Sequence, residues 1–145
     1  MTRDIHPNAP GALAGVSEPM IRTLVHTFYA RVRQDDLIGP IFNEAIADWD
    51  EHLDKLCAFW SSVTLMTGRY KGTPMQVHAA LPGVERSHFD RWLSIFRATA
   101  SECCPPDAAA LFVDRADRIA QSLEMGIALH RGQMLGIGDR LVAGT

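Results

Sequence analysis

Four runs of apolar residues at helical spacing, each closed by a Gly/Pro break, point this chain to an all-α domain. Ser17 ahead of Glu18-Pro19 is a helix start signal, since proline is tolerated in a first turn. Ile21, Leu24, Val25, Phe28 and Val32 then build one stripe. The stretch DDLIGPIFN interrupts it, because Gly39-Pro40 does not fit inside a regular helix. A second helix is expected from about Asp48 to Thr67, with Trp49, Leu53, Leu56, Phe59, Trp60, Val63 and Met66 on its apolar face. Gly68, Gly72 and Pro74 break the chain again, and a short piece around 75–81 ends at Pro82-Gly83. A third helix, about Ser87 to Cys104, carries Phe89, Trp92, Leu93, Phe96 and Ala100 and stops at Pro105-Pro106. The last, about Asp107 to His130, uses Leu111, Phe112, Ile119, Leu123 and Ile127. No segment alternates with the period of two that a strand requires.

At 145 residues the chain is the size of one domain with a single core. The working domain is expected over 17–130, behind an arm at 1–16 and ahead of a flexible, Gly-containing tail at 131–145. Hydrophobic residues make up 47% and charged ones 21%, with a net charge of −3, so the basic surface of a nucleic-acid binder is missing. No apolar run reaches the roughly 20 residues that span a bilayer, and the N-terminal stretch shows no secretory core, so neither membrane nor export is expected. Cys57, Cys103 and Cys104 are odd in number with two adjacent, a poor disulfide framework that suits a reducing cytoplasm. CxxC and CxxCH spacings are both absent.

The chemistry has to be sought among polar residues on apolar faces. His52 stands at i, i+4, i+7 with Leu56 and Phe59 and so shares the buried side of the second helix. Tyr29 adjoins Phe28 near the end of the first helix, and Trp92 lies within the third stripe. His78 falls in a short segment after a Gly/Pro break, bracketed by Met75, Val77 and Leu81. A haem site needs one neutral imidazole on iron, an apolar slot for the macrocycle, and donors that hold a diatomic ligand. Tyr O–H and Trp N–H are such donors, and His serves as donor or acceptor. On periodicity alone, ordinary helix packing is the preferred reading of each of these residues.

The order of motifs narrows this. FYARVRQDDLIGPIFN, then DWDEHLDKLCAFW, then YKGTPMQVH, then HFDRWLSIF, resembles a truncated haemoglobin, and among the three groups it is most similar to the third. The resemblance covers about 17–130, and the spacing between motifs agrees along with the motifs. It implies a two-over-two helical sandwich, a shortened globin fold, holding haem b (iron protoporphyrin IX). It assigns His78 as the proximal iron ligand and Tyr29, His52 and Trp92 as the distal residues that hold the ligand. Phe28, Phe42, Leu56, Phe59, Trp60, Leu81 and Phe96 are expected around the macrocycle. Arg69, Lys71 and Arg86 are candidates for the haem propionates, although solvated surface charge is the ordinary reading of each. His6, His26, His88 and His130 match no ligand role.

The function implied by this resemblance is reversible binding of O2, NO, CO or similar ligands, with His78 donating its second ring N–H to a backbone carbonyl. Three distal donors oppose release, which favours NO dioxygenation or peroxide processing over oxygen transport. Such chemistry needs a reductase as partner. The alternative is a haem-based gas or redox sensor acting through a protein partner.

Overall fold

A computed structural model describes residues 6, 8–70 and 85–130. Six helices make up these parts: α1 (Pro10–Ala14), α2 (Glu18–Gln34), α3 (Gly39–Ala45), α4 (Trp49–Leu65), α5 (Arg86–Cys103) and α6 (Pro106–His130). There is no strand among the described residues. The short segment expected at 75–81, with His78 and Leu81, and the tail from 131 lie outside them.

Three of the long helices start where side chains satisfy free backbone hydrogen-bonding groups. Ser17 Oγ accepts from the amide of Met20 at 3.3 Å, and Asp48 Oδ1 from that of Glu51 at 3.1 Å. At the head of α5 the backbone N–H of Glu85 donates to Nδ1 of His88 at 2.8 Å, which gives that histidine a capping role. Gly39-Pro40 does more than interrupt. It opens α3, because a proline in the first turn lacks only an N–H that would have no intrahelical partner. Met66, expected on the apolar stripe of the second helix, is instead 55% exposed. It takes a left-handed conformation (φ 56°) that ends α4 and turns its side chain off the buried face.

The helices form two layers. α2 packs on α4 and α5 on α6, while α2 also lies against α5 and α4 against α6, which is the two-over-two arrangement. Ile21, Leu24, Val25, Phe28 and Val32 of α2 are all buried, as the spacing of the stripe requires. Facing them are Phe96 and Phe112, with Ala108, Ala109 and Ala116 letting α6 approach closely. Within the stretch read as an arm, α1 docks on α4 and α6. A Cβ on Gly11 would lie 2.4 Å from the carbonyl oxygen of Thr64, so only glycine permits this approach to the last turn of α4.

Candidate functional site

Where the two layers part, they leave a cavity of about 230 Å³ that opens to solvent on one side. α4 supplies half of the lining residues from one face, at i, i+3/4 and i+7/8: His52, Lys55, Leu56, Phe59 and Trp60. Tyr29 enters from α2 and Trp92 from α5, while Ile119 and Leu123 of α6 and Tyr70 complete the lining. The wall is chiefly apolar, with a few polar groups set into it.

Two of those polar groups are joined to each other. Tyr29 is 3% exposed, and its hydroxyl is hydrogen-bonded to the Trp92 side chain. An indole N–H only donates, so the phenol oxygen is the acceptor and its own proton is left for another partner. Burial pushes the Tyr29 pKa well above the ordinary tyrosine value, only partly offset by the Trp92 bond, and the residue stays a neutral donor across the range proteins encounter. The His52 ring stands edge-on to Tyr29 at 6.1 Å between centroids, and edge-on to Trp49 at 5.7 Å. A histidine, a tyrosine and a tryptophan thus converge on one wall from three different helices.

Behind this wall the rings are braced by aromatic packing. Trp92 stacks on Phe96 at 5.7 Å and Phe96 on Trp60 at 5.4 Å, with interplanar angles of 16° and 17°. Phe28 meets Trp92 and Phe96 edge-on at 5.4 and 5.1 Å. Of the aromatic residues expected around a macrocycle, Phe59 and Trp60 line the cavity, whereas Phe28 and Phe96 are core residues that support it. Phe42 packs edge-on against Tyr29 at 6.1 Å. The chain leaving α4 is clasped to the fold by polar contacts. Glu18 accepts from Ser61 and Arg69, Ser61 and Thr67 share a hydrogen bond of 2.7 Å, and the Tyr70 amide donates to Ser62 Oγ at 2.8 Å. This keeps the Tyr70 ring edge-on to Phe59 at 5.3 Å.

Four lining residues, Lys55, Tyr70, Ile119 and Leu123, are not among those that the sequence singles out for the site. Ile119 and Leu123 belong to a stripe that reads only as core, and Lys55 stands next to the His52–Leu56 face, where its spacing is the available signal. Of the cationic candidates, Arg69 is paired with Glu18, Arg86 is exposed at the start of α5, and Lys71 lies outside the described residues. Among the described residues no group of three or more His, Cys, Asp or Glu is arranged to hold a metal ion, and no helix is long and apolar enough to cross a membrane.

The sequence pattern of the bacterial-like globins matches residues 13–122. The chain is 32% identical over 113 residues to a group 3 truncated haemoglobin of Campylobacter jejuni, a match that covers 75% of this chain and 89% of that protein. Its fold is similar to the crystal structure of the group III truncated haemoglobin from Campylobacter jejuni, with a TM-score of 0.71 over 74% of this chain and 88% of the other. With the two-layer helical fold and the aromatic-walled cavity already established, these matches show that the chain belongs to the bacterial-like globins, as a truncated haemoglobin of the third group.

Proposed function

We propose that the cavity between α2, α4, α5 and α6 takes haem b, with His78 as the iron ligand, and that its polar wall is built to retain and process a diatomic ligand. The observation that carries this reading is the Tyr29–Trp92 hydrogen bond set into the wall of a chiefly apolar cavity. Such a donor pair has no packing purpose that two apolar side chains would not serve as well, since a buried polar group costs free energy unless it is satisfied. The residues fit the group. An apolar slot suits a macrocycle, and Leu56, Phe59, Ile119 and Leu123 offer it contact surface.

When bound, an iron porphyrin supplies reversible binding of O2, NO or CO and redox chemistry upon them. The chain supplies the rest. Trp92 fixes the phenol of Tyr29 by donating to its oxygen, so that the Tyr29 proton points elsewhere. Tyr29 and His52 present polar hydrogens to a ligand carrying partial negative charge, and the aromatic stack behind Trp92 holds that arrangement rigid. Leu56 and Phe59 keep water scarce, which strengthens each of these bonds. Retention of this kind opposes delivery. NO dioxygenation or peroxide processing, with electrons returned by a reductase, is the activity proposed. The free thiols Cys57, Cys103 and Cys104 fit a reducing cytoplasm as the compartment.

Absorption spectroscopy of the purified protein titrated with haemin tests the reading. The expected result is uptake of one haem per chain, a ferrous form that binds CO, and weakened haem retention or altered iron coordination in His78→Ala. Folded protein that takes up no haem overturns it.

A further inference from the structure

Where α2 ends and α4 begins, three rings close a triangle. The centroid distances are 5.9 Å from Tyr29 to Trp49, 5.7 Å from Trp49 to His52 and 6.1 Å from Tyr29 to His52, so each ring meets the other two. Tyr29 and His52 line the cavity, whereas Trp49 stands outside its wall, one turn before His52 on α4. A fourth group closes the arrangement from solvent. Arg33, one turn after Tyr29 on α2, places its guanidinium carbon 4.6 Å from the centroid of the Trp49 ring. Its carbonyl accepts from Asn43 Nδ2 at 3.0 Å, which ties this turn of α2 to α3.

Trp49 is the first residue of α4, where a helix has the least intrahelical support, so its indole is held chiefly by what it touches. Both Trp49 and His52 are only half-buried, which leaves room for them to move. On the reading of the cavity as a haem site, we propose that Arg33 and Trp49 form a latch that positions the His52 side chain and sets how fast small ligands enter and leave. The imidazole and indole rings meet at a right angle, so an outward swing of His52 toward Trp49 has to displace the indole. The indole is free to give way once the guanidinium lifts from its face. Arg33 is exposed, and its cation–π contact is weak enough to break and re-form on the timescale of side-chain motion. Arg33 and Trp49 are positioning residues and act only through His52.

Flash photolysis of the CO complex of the haem-loaded protein tests the latch, using CO itself as the probe. Arg33→Gln is expected to speed CO association about two- to fivefold, the factor an exposed cation–π contact accounts for. Arg33→Lys, which keeps a cation, is expected to restore a rate near that of the parent. Trp49→Leu should reproduce the increase, and adding Arg33→Gln to it should change nothing further. A second readout is independent of ligand kinetics. In the diamagnetic CO form the His52 ring protons, shifted by the facing aromatic rings, should move in the NMR spectrum of Arg33→Gln and return in Arg33→Lys. Parent CO rates and unmoved His52 signals in Arg33→Gln and Trp49→Leu overturn the latch while leaving the haem reading standing. Protein that binds no haem and forms no CO complex overturns both.

Discussion

Tyr29 shows how a single buried phenol is made to face inward. Its ring is wedged edge-on between Phe28 at 4.7 Å and Phe42 at 6.1 Å, so rotation about its side-chain bonds is blocked on both sides. Trp92 occupies the oxygen's acceptor site, and burial keeps the proton on. If this proton holds a ligand, Tyr29→Phe removes one hydrogen bond of about 1–1.5 kcal/mol, which corresponds to an O2 dissociation rate about five- to tenfold faster. Stopped-flow displacement of O2 by CO measures this. Trp92→Phe is expected to act in the same direction, and because the two side chains are bonded to each other, the double variant should show less than the sum of the two effects. An O2 dissociation rate as fast as that of an oxygen carrier and indifferent to Tyr29→Phe contradicts the proposal of retention.

At the level of elements, the corner between α2 and α3 depends on one carboxylate. Asp35 Oδ2 accepts from the amides of Leu37 and Ile38, each at 3.0 Å, and Oδ1 accepts from Arg91 Nε of α5 at 2.7 Å. Burial of this side chain, 5% exposed, pushes its pKa up, but the hydrogen bonds and the Arg91 charge outweigh that and hold it below the ordinary carboxylate value. A folded-state pKa below the unfolded one contributes stability above about pH 4, and that contribution is lost as pH falls through the lower, folded value. Asp35→Asn is therefore expected to cost about 1–3 kcal/mol in urea unfolding at pH 7, and the variant should converge on the parent below pH 4. An equal deficit at both pH values contradicts this account. The same corner shows where sequence reasoning stops. The stripes of α2, α4, α5 and α6 were legible because burial imposes a period of 3.6 over several turns. α1 and α3 span too few residues to carry a period, and Pro40 signals a break equally well whether a helix ends or begins there. Tyr29, His52, Leu56 and Trp92 could be singled out because each sits on or beside a stripe. Tyr70 could not, and Lys55 offered only its spacing from His52, since lining a cavity depends on how helices are rotated and spaced, which no single stripe records.

Over the whole molecule, the wall of the cavity and the core are one continuous aromatic body. Phe112 of α6 meets Trp60 at 5.6 Å, and from there the stack runs through Phe96 to Trp92 and its bond to Tyr29. A ligand that fills the cavity therefore buttresses residues from both helical layers at once. Anything that binds the folded chain and not the unfolded one stabilises it by mass action, about 2.7 kcal/mol at a free concentration of 100 times Kd. For a domain of this size that raises Tm by about 10 °C. The surface charges work differently. Arg22–Asp54 and Arg97–Asp117 join side chains that are 44–70% exposed, and such pairs contribute little and are screened by salt. Thermal unfolding of haem-free and haem-loaded protein, each with and without 1 M NaCl, separates the two contributions. Removal of haem is expected to lower Tm by about 10 °C, while salt moves either form by only a few degrees. A Tm unchanged by haemin would mean that the aromatic body is complete without a ligand, and its cavity would then be a packing fault between layers rather than a binding site.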